Sequence, residues 1–312
     1  MRSFFVSVTA IAVVTALGAA AMAQQGVAPV RKSIKVNGLN LSYLQWGSED
    51  APPMLLFPGS GAVSAGWESV APAFAKHYRV ISFDMRGQGF SDWDPNKQYN
   101  VMTHVADMKE AVHQLGLKNI IVMGHSMGGN EAVVYAAEDA ANVIALIAED
   151  GGYMLPGSTH ADRRAQDAKA GIPQRPAPKT EFATWDEVLA SMIYAPPGTR
   201  ELEAENRFRK TDDGRYVARM DPSVIATEEA DSMMQPGATA PFAKRVTCPA
   251  MVIRGMDDNS FVMGGALALA SLIQDMRLIV LVPGSGHGLH EMKPAEFVAA
   301  VEGFLNLVEP AH

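Results

Sequence analysis

The sequence predicts an α/β fold, a mostly parallel sheet with helices on both faces and one inserted cap. Three observations carry that prediction. Short apolar runs alternate with helically spaced stretches along most of the chain. Several runs are apolar at consecutive positions, as strands buried on both faces must be. The alternation breaks once, between roughly Leu155 and Arg245, where charge and proline accumulate. A chain of 312 residues, 48% hydrophobic and 19% charged, suits one domain of ordinary enzyme size with an insertion.

The first residues, Met1-Arg2-Ser3-Phe4-Phe5-Val6, carry one positive charge and run into an apolar stretch reaching about Ala21. Ala21-Met22-Ala23 then forms a small-residue cleavage pattern before Gln24-Gln25. Residues 1–23 are therefore expected to be a signal peptide, and the protein periplasmic or secreted. A retained anchor is the weaker reading, because the run is short and slightly polar for a bilayer span. Cys248 is the only cysteine, which excludes both an internal disulfide and a lipidated cysteine at the cleavage site.

Ser33-Ile34-Lys35-Val36 and Leu41 to Trp46 alternate around Asn37-Gly38-Leu39-Asn40, the pattern of an antiparallel hairpin at a sheet edge. Met54-Leu55-Leu56-Phe57 and Tyr78 to Phe83 read as buried strands, with helical spacing from Trp67 to Lys76 between them. A helix from Met102 to Leu115 precedes the strand Asn119 to Met123. A second helix follows, then strands Val143 to Ala148, Ala250 to Arg254 and Arg277 to Val282. Pro294 to Leu307 is an amphipathic helix that opens on proline with Glu296 in its first turn. The core thus divides into residues 24–154 and 246–312. Residues 155–245 form a mainly helical cap over the carboxyl ends of the strands, with a helix from Trp185 to Met192 and a hairpin across Thr211-Asp212-Asp213-Gly214. Its aromatic residues, Phe182, Trp185, Tyr194, Phe208 and Tyr216, argue against a disordered linker.

Gly124-His125-Ser126-Met127-Gly128 lies between a strand and a helix. A serine placed there, with glycine two positions away on each side, is the nucleophile-elbow arrangement: a tight turn lifts the hydroxyl clear, and bulky neighbours would not fit. A serine hydroxyl needs a base to take its proton and a third group to fix that base. The chain supplies candidates at two later strand ends, Gly255-Met256-Asp257-Asp258-Asn259 and Pro283-Gly284-Ser285-Gly286-His287. The order Ser, Asp, His is the one the elbow requires.

With Gly124 to Gly129, Gly255-x-x-Asp258, Gly286-His287 and Asp84-Met85-Arg86-Gly87-Gln88-Gly89-Phe90-Ser91-Asp92, the chain resembles the α/β-hydrolases over nearly its whole mature length outside the cap. The resemblance implies Ser126 as nucleophile, His287 as base and Asp258 as the orienting acid. Asp257 and Asp150 are rival acids, the latter because some members of the fold use the strand that it ends. His290 lies near His287 but does not follow the glycine of the loop. His125 reads as packing beneath the elbow, and His77, His104 and His113 as surface or helix positions. The oxyanion hole is expected from the backbone N–H of Met127 and a second N–H in Pro58-Gly59-Ser60-Gly61, Ser60 ahead of Gly61. The family's loop usually begins His-Gly; Pro58 has no N–H and cannot supply that histidine's hydrogen bonds. Trp67 fits an acyl-pocket wall or simple packing. The Asp84-x-Arg86 stretch reads as a turn held by its own Asp-Arg pair.

A net charge of −8 without basic runs argues against nucleic-acid binding. Histidines are scattered, no metal-binding spacing stands out, and no dinucleotide fingerprint follows the first strands, so no metal or cofactor is expected. The leading reading is a cofactor-free serine hydrolase of a carboxylic ester or lactone. The runner-up is carbon–carbon cleavage in diketone-type acids with the same residues; a binding protein on the same scaffold comes third. Relatives that open epoxides or release halide carry aspartate where Ser126 stands. Mass spectrometry of the exported protein is expected to find Gln24 at its N-terminus; an intact Met1 would overturn the signal-peptide reading.

Overall fold

The structure, a computed structural model, describes residues 10–13, 27–157, 179–192, 198–257 and 263–308, and a few isolated positions between them. Its strands, in chain order, are β1 (Ala10–Val13), β2 (Val30–Val36), β3 (Leu39–Trp46), β4 (Pro53–Phe57), β5 (Arg79–Phe83), β6 (Ile120–His125) and β7 (Val143–Glu149). The cap then contributes β8 (Glu181–Phe182), β9 (Phe208–Lys210) and β10 (Tyr216–Ala218), and the core resumes with β11 (Ala250–Gly255) and β12 (Met276–Val282). Helices α1 (Ala71–Phe74), α2 (Val101–Gln114) and α3 (Met127–Glu138) precede the cap helices α4 (Trp185–Ser191), α5 (Arg200–Arg207), α6 (Val224–Ala230) and α7 (Ala240–Ala243). The chain closes with α8 (Met263–Leu272), α9 (Leu289–Met292) and α10 (Pro294–Val308).

The main sheet has the order β1-β12-β11-β7-β6-β4-β5-β3-β2. Among the described residues of this sheet, only the β2–β3 and β3–β5 pairings are antiparallel. Alternation of side chains along the strands divides the core into two layers. Ile120 and Val122 of β6, with Leu55 and Phe57 of β4, pack among residues of α2, α3 and α8. Ile121 and Met123, with Met54 and Leu56, face the other way onto Phe74, Phe297, Val301 and Phe304. Both layers are buried, which is why these strands read as unbroken apolar runs.

The hairpin at the edge is tighter than expected. Asn37 and Gly38 both take positive φ, 50° and 89°, so two residues make the turn and Leu39 already pairs with Val36. The helix expected over Trp67 to Lys76 is instead a 3₁₀ segment, Ser64–Ser69, followed by α1. Pro72 explains the break: without an N–H it suits the first turn of a helix but not its interior. Within the segment expected to be removed on export, the backbone of β1 runs parallel to β12, from Ala10 opposite Leu278 to Val13 opposite Leu281. The rest of residues 1–23 lies outside the described residues, as does Tyr194 in the cap.

The cap is not helical throughout. Strands β8, β10 and β9 form a small antiparallel sheet, with the expected hairpin turning at Thr211 to Gly214. Phe182, Val188, Met192, Ala204 and Phe208 give it a small apolar core of its own.

The loop after β5 departs from the sequence reading. Arg86 does not pair with Asp84. It donates to Asp107 of α2 at 2.6 and 2.7 Å and to Asp94 at 2.8 Å, all three side chains being nearly inaccessible. Asp84 instead accepts the N–H of Ser64 at 2.8 Å and of Phe90 at 3.0 Å, with Arg31 beside it at 3.3 Å. Gly89 is required here, since a Cβ would sit 2.3 Å from the Asp84 carboxyl carbon. Arg86→Ala strands two buried carboxylates and is expected to lower unfolding stability by about 3–5 kcal/mol; urea denaturation measures it.

Candidate active site

Ser126 sits between the end of β6 and the start of α3 with φ 56° and ψ −118°, a conformation that costs a side-chain-bearing residue on the order of 1–3 kcal/mol. The surrounding backbone enforces it. Ser126 N–H donates to Glu149 O, and Ser126 O accepts from Gly129 N–H, both at 2.9 Å. A Cβ at Gly124 would lie 1.9 Å from Gly128 O, one at Gly128 2.2 Å from Phe57 O, and one at Gly151 2.1 Å from Ser126 O. Gly124 and Gly128 were legible from the pentapeptide. Gly151, arriving from the end of β7, was not.

The structure brings His287, the expected base, to the serine: its Nε2 lies 2.9 Å from Ser126 Oγ. The loop after β11 is laced to the loop that carries His287. Asp257 N–H donates to Ser285 O at 2.9 Å, Met256 N–H to Val282 O at 3.0 Å, and a Cβ at Gly255 would collide with Gly286 O at 2.3 Å. Asp258, next along that loop, lies outside the described residues. Of its rivals, Asp257 is exposed. Asp150 is buried, accepts Gly255 N–H at 3.2 Å and has Arg254 at 4.0 Å, so its carboxylate helps to hold the end of β11.

The loop after β4 passes beside the nucleophile, since a Cβ at Gly59 would stand 3.4 Å from Ser126 Cβ and 3.0 Å from His125 Nδ1. Met127, the first residue of α3, is buried directly after the serine. The same loop meets the cap: Ser60 Oγ donates to the carboxyl of Glu228, a residue of α6.

Beneath the elbow lies an arrangement that sequence reasoning missed. His290 is buried, takes both Glu149 oxygens at 2.8 Å through Nδ1, and donates its backbone N–H to Glu149 at 2.9 Å. Burial alone would discharge this imidazole, but the Glu149 charge and hydrogen bonds outweigh it and push His290 up to about 9. Burial alone would likewise raise Glu149; His290 holds it low. Trp67 stacks on the His290 ring at 4.4 Å and packs against Phe297, which settles its role as packing. His125 donates Nε2–H to the backbone carbonyl of His287 at 2.8 Å. Burial pushes it down to about 3, so it stays neutral and holds that tautomer. His104 is a helix position as expected, yet fully buried, its Nδ1 2.6 Å from Glu131; His77 and His113 are exposed.

The scattered histidines therefore do gather: His125, Glu149 and His290 bring ligand-type atoms within 4.8 Å of one another. Glu149 and His290 already satisfy each other as an ion pair, and His125 Nε2 is committed to His287. The cluster reads as a brace for the base.

Residues 52–294 match the family model for the α/β hydrolase fold. The chain is 24% identical over 279 residues to a 2-(acetamidomethylene)succinate hydrolase of Mesorhizobium japonicum, covering 89% of this chain and 95% of that one. It is 27% identical over 266 residues to a bifunctional esterase/perhydrolase of Acinetobacter calcoaceticus, covering 81% and 91%. The crystal structure of an E-2-(acetamidomethylene)succinate hydrolase superimposes with a TM-score of 0.76 at 22% identity, over 89% of this chain and all of the other.

The Glu149–His290 pair sets a pH dependence of stability. His290 is raised in the folded state from 6.5 to about 9, so its contribution is complete below 6.5 and disappears as pH climbs through 9. Urea midpoints of the wild type are expected to fall across that alkaline window. In His290→Gln the midpoint is lower and the slope there flattens.

Proposed function

The chain belongs to the α/β-hydrolase family, and on that premise we propose that it is a serine hydrolase of carboxylic esters or lactones, working through an acyl-enzyme on Ser126. The observation that carries the reading is the 2.9 Å separation of His287 Nε2 from Ser126 Oγ at a strained elbow. His287 takes the hydroxyl proton as Oγ attacks the carbonyl carbon, and the carbonyl oxygen becomes an oxyanion. Backbone N–H groups of Met127 and Ser60 receive that charge, the former at the positive end of α3. The imidazolium then protonates the departing alkoxide, which leaves as an alcohol or, from a lactone, stays tethered to the acyl group. Water enters, His287 removes its proton, and a second tetrahedral collapse frees the acid and restores Ser126.

Asp258 is assigned as the partner of the imidazole, which it holds in the tautomer that presents Nε2 unprotonated to the serine. The scheme uses no cofactor or metal. Support for ester chemistry comes from the esterase/perhydrolase relative, and support for a small substrate from the hydrolase relatives generally. The cleavage pattern at Ala21-Met22-Ala23 supports a periplasmic or secreted enzyme.

A fluorophosphonate probe is expected to label the wild type and not Ser126→Ala, and short-chain p-nitrophenyl esters to be hydrolysed with kcat reduced by roughly 10⁴-fold or more in that variant. Absence of labelling in the wild type would point to a binding protein. Turnover confined to vinylogous diketones would move carbon–carbon cleavage to first place.

A further inference from the structure

Helix α6 of the cap lies directly on the loop that follows β4. Its residues Ile225 and Glu228, three positions apart and so on one helical face, both reach that loop. A Cβ at Gly61, where φ is +63°, would stand 2.8 Å from Ile225 Cδ1. The Glu228 carboxyl accepts from Ser60 Oγ and, at 3.0 Å, from Gln88 Nε2 of the core. Arg207, also from the cap, donates to Gly61 O at 3.0 Å. Glu228 is 2% exposed. Two consecutive residues of the loop are thus held from another part of the fold, Ser60 by Glu228 and Gly61 by Arg207.

We propose that Glu228 is a positioning residue for the oxyanion hole: it pins Ser60 through its hydroxyl from the cap, in place of the side-chain anchor that Pro58 cannot give. This rests on the serine-hydrolase reading above. An oxyanion donor is effective only while it points at the place where charge develops, without reorganising at the moment of reaction. Ser60 N–H belongs to the Gly59-Ser60 peptide: the Gly59 oxygen accepts Ala62 N–H at 3.0 Å from within the loop, and the Ser60 hydroxyl on the other side of that peptide ends on Glu228. Lifting α6 would release the second of these contacts, so the donor is held on both sides only beneath a seated cap.

The charge state fits this task. Burial pushes Glu228 up to about 7, against the opposing pull of His104 and the Ser60 hydroxyl, with Glu131 adding to the rise. His104 and Glu131 pair with each other at 2.6 Å, so the His104 charge is shared with a nearer carboxylate. A protonated carboxyl can donate to Ser60 Oγ while its other oxygen accepts from Gln88, and a glutamine amide offers the same pattern.

The test compares Glu228→Gln, Glu228→Ala, Ser60→Ala and the Ser60→Ala/Glu228→Ala double variant, all in the full chain. Glu228→Ala is expected to lose roughly 10–100-fold in kcat with KM little changed, and to bind a boronic-acid inhibitor, which mimics the tetrahedral state, more weakly by a similar factor. Glu228→Gln is expected to recover kcat to within a few-fold of wild type. In the double variant the two losses should not multiply, because the second change removes a bond already broken. Fluorophosphonate labelling of the wild type keeps this test separate from the hydrolase reading, which would fail first if labelling were absent. Unchanged kcat and boronate affinity in Glu228→Ala would overturn the proposal. So would a glutamine variant as poor as alanine, or fully multiplicative losses. Should the alanine variant fail to fold, Ser60→Ala decides alone: a loss in kcat without one in KM supports the anchor, and wild-type kcat sinks it.

Discussion

The positive φ at Ser126 is the constraint on which the molecule is built. A residue with a side chain resists that conformation, and the chain meets the cost with backbone contacts that only glycine permits: Gly124 against Gly128, Gly128 against Phe57, Gly151 against Ser126 itself. These contacts join β6, α3, β4 and the end of β7 at one point. The buried apolar layers on both faces of the sheet hold that point, and it presents a half-buried hydroxyl to His287 as a consequence.

A second tier serves the imidazole. Hydrogen bonds from Asp257 and Met256 tie the loop before the expected acid to the loop of His287. His125 grips the His287 carbonyl, and one turn further on the buried His290–Glu149 pair fastens the segment to the end of β7, whose Glu149 carbonyl also receives Ser126 N–H. Glu149 therefore touches both partners of the proton transfer, one through its backbone and one through a neighbour's side chain. Breaking such a buried pair by removing one member leaves an uncompensated charge, so its cost is borne by the geometry of the base as well as by stability.

What the sequence disclosed and what it withheld differ in a physical way. Strands β4 to β7, β11 and β12 were legible because burial on both faces leaves unbroken apolar runs, and Ser126 and His287 because each sits at a strand end with glycine where the backbone must pass closely. The pairings were not legible. Arg86 has an aspartate two residues away yet bonds to Asp94 and Asp107, because the Asp84 carboxylate is occupied by backbone donors. His290 looked redundant beside His287, since nothing in its neighbourhood points to Glu149, 141 positions earlier. Helix α8 escaped notice for another reason: Met263–Leu272 is apolar almost all round, so it shows no amphipathic period to read.

The seating of α6 against the Ser60-Gly61 loop has an evolutionary consequence. A module that only chose the substrate could be exchanged freely between relatives. One that also carried the proposed acid to square up the reaction chamber could not. A foreign lid lacking that acid would arrive with a new preference and a slack chamber beneath it, so selectivity and turnover in this lineage would have to be inherited as a single unit.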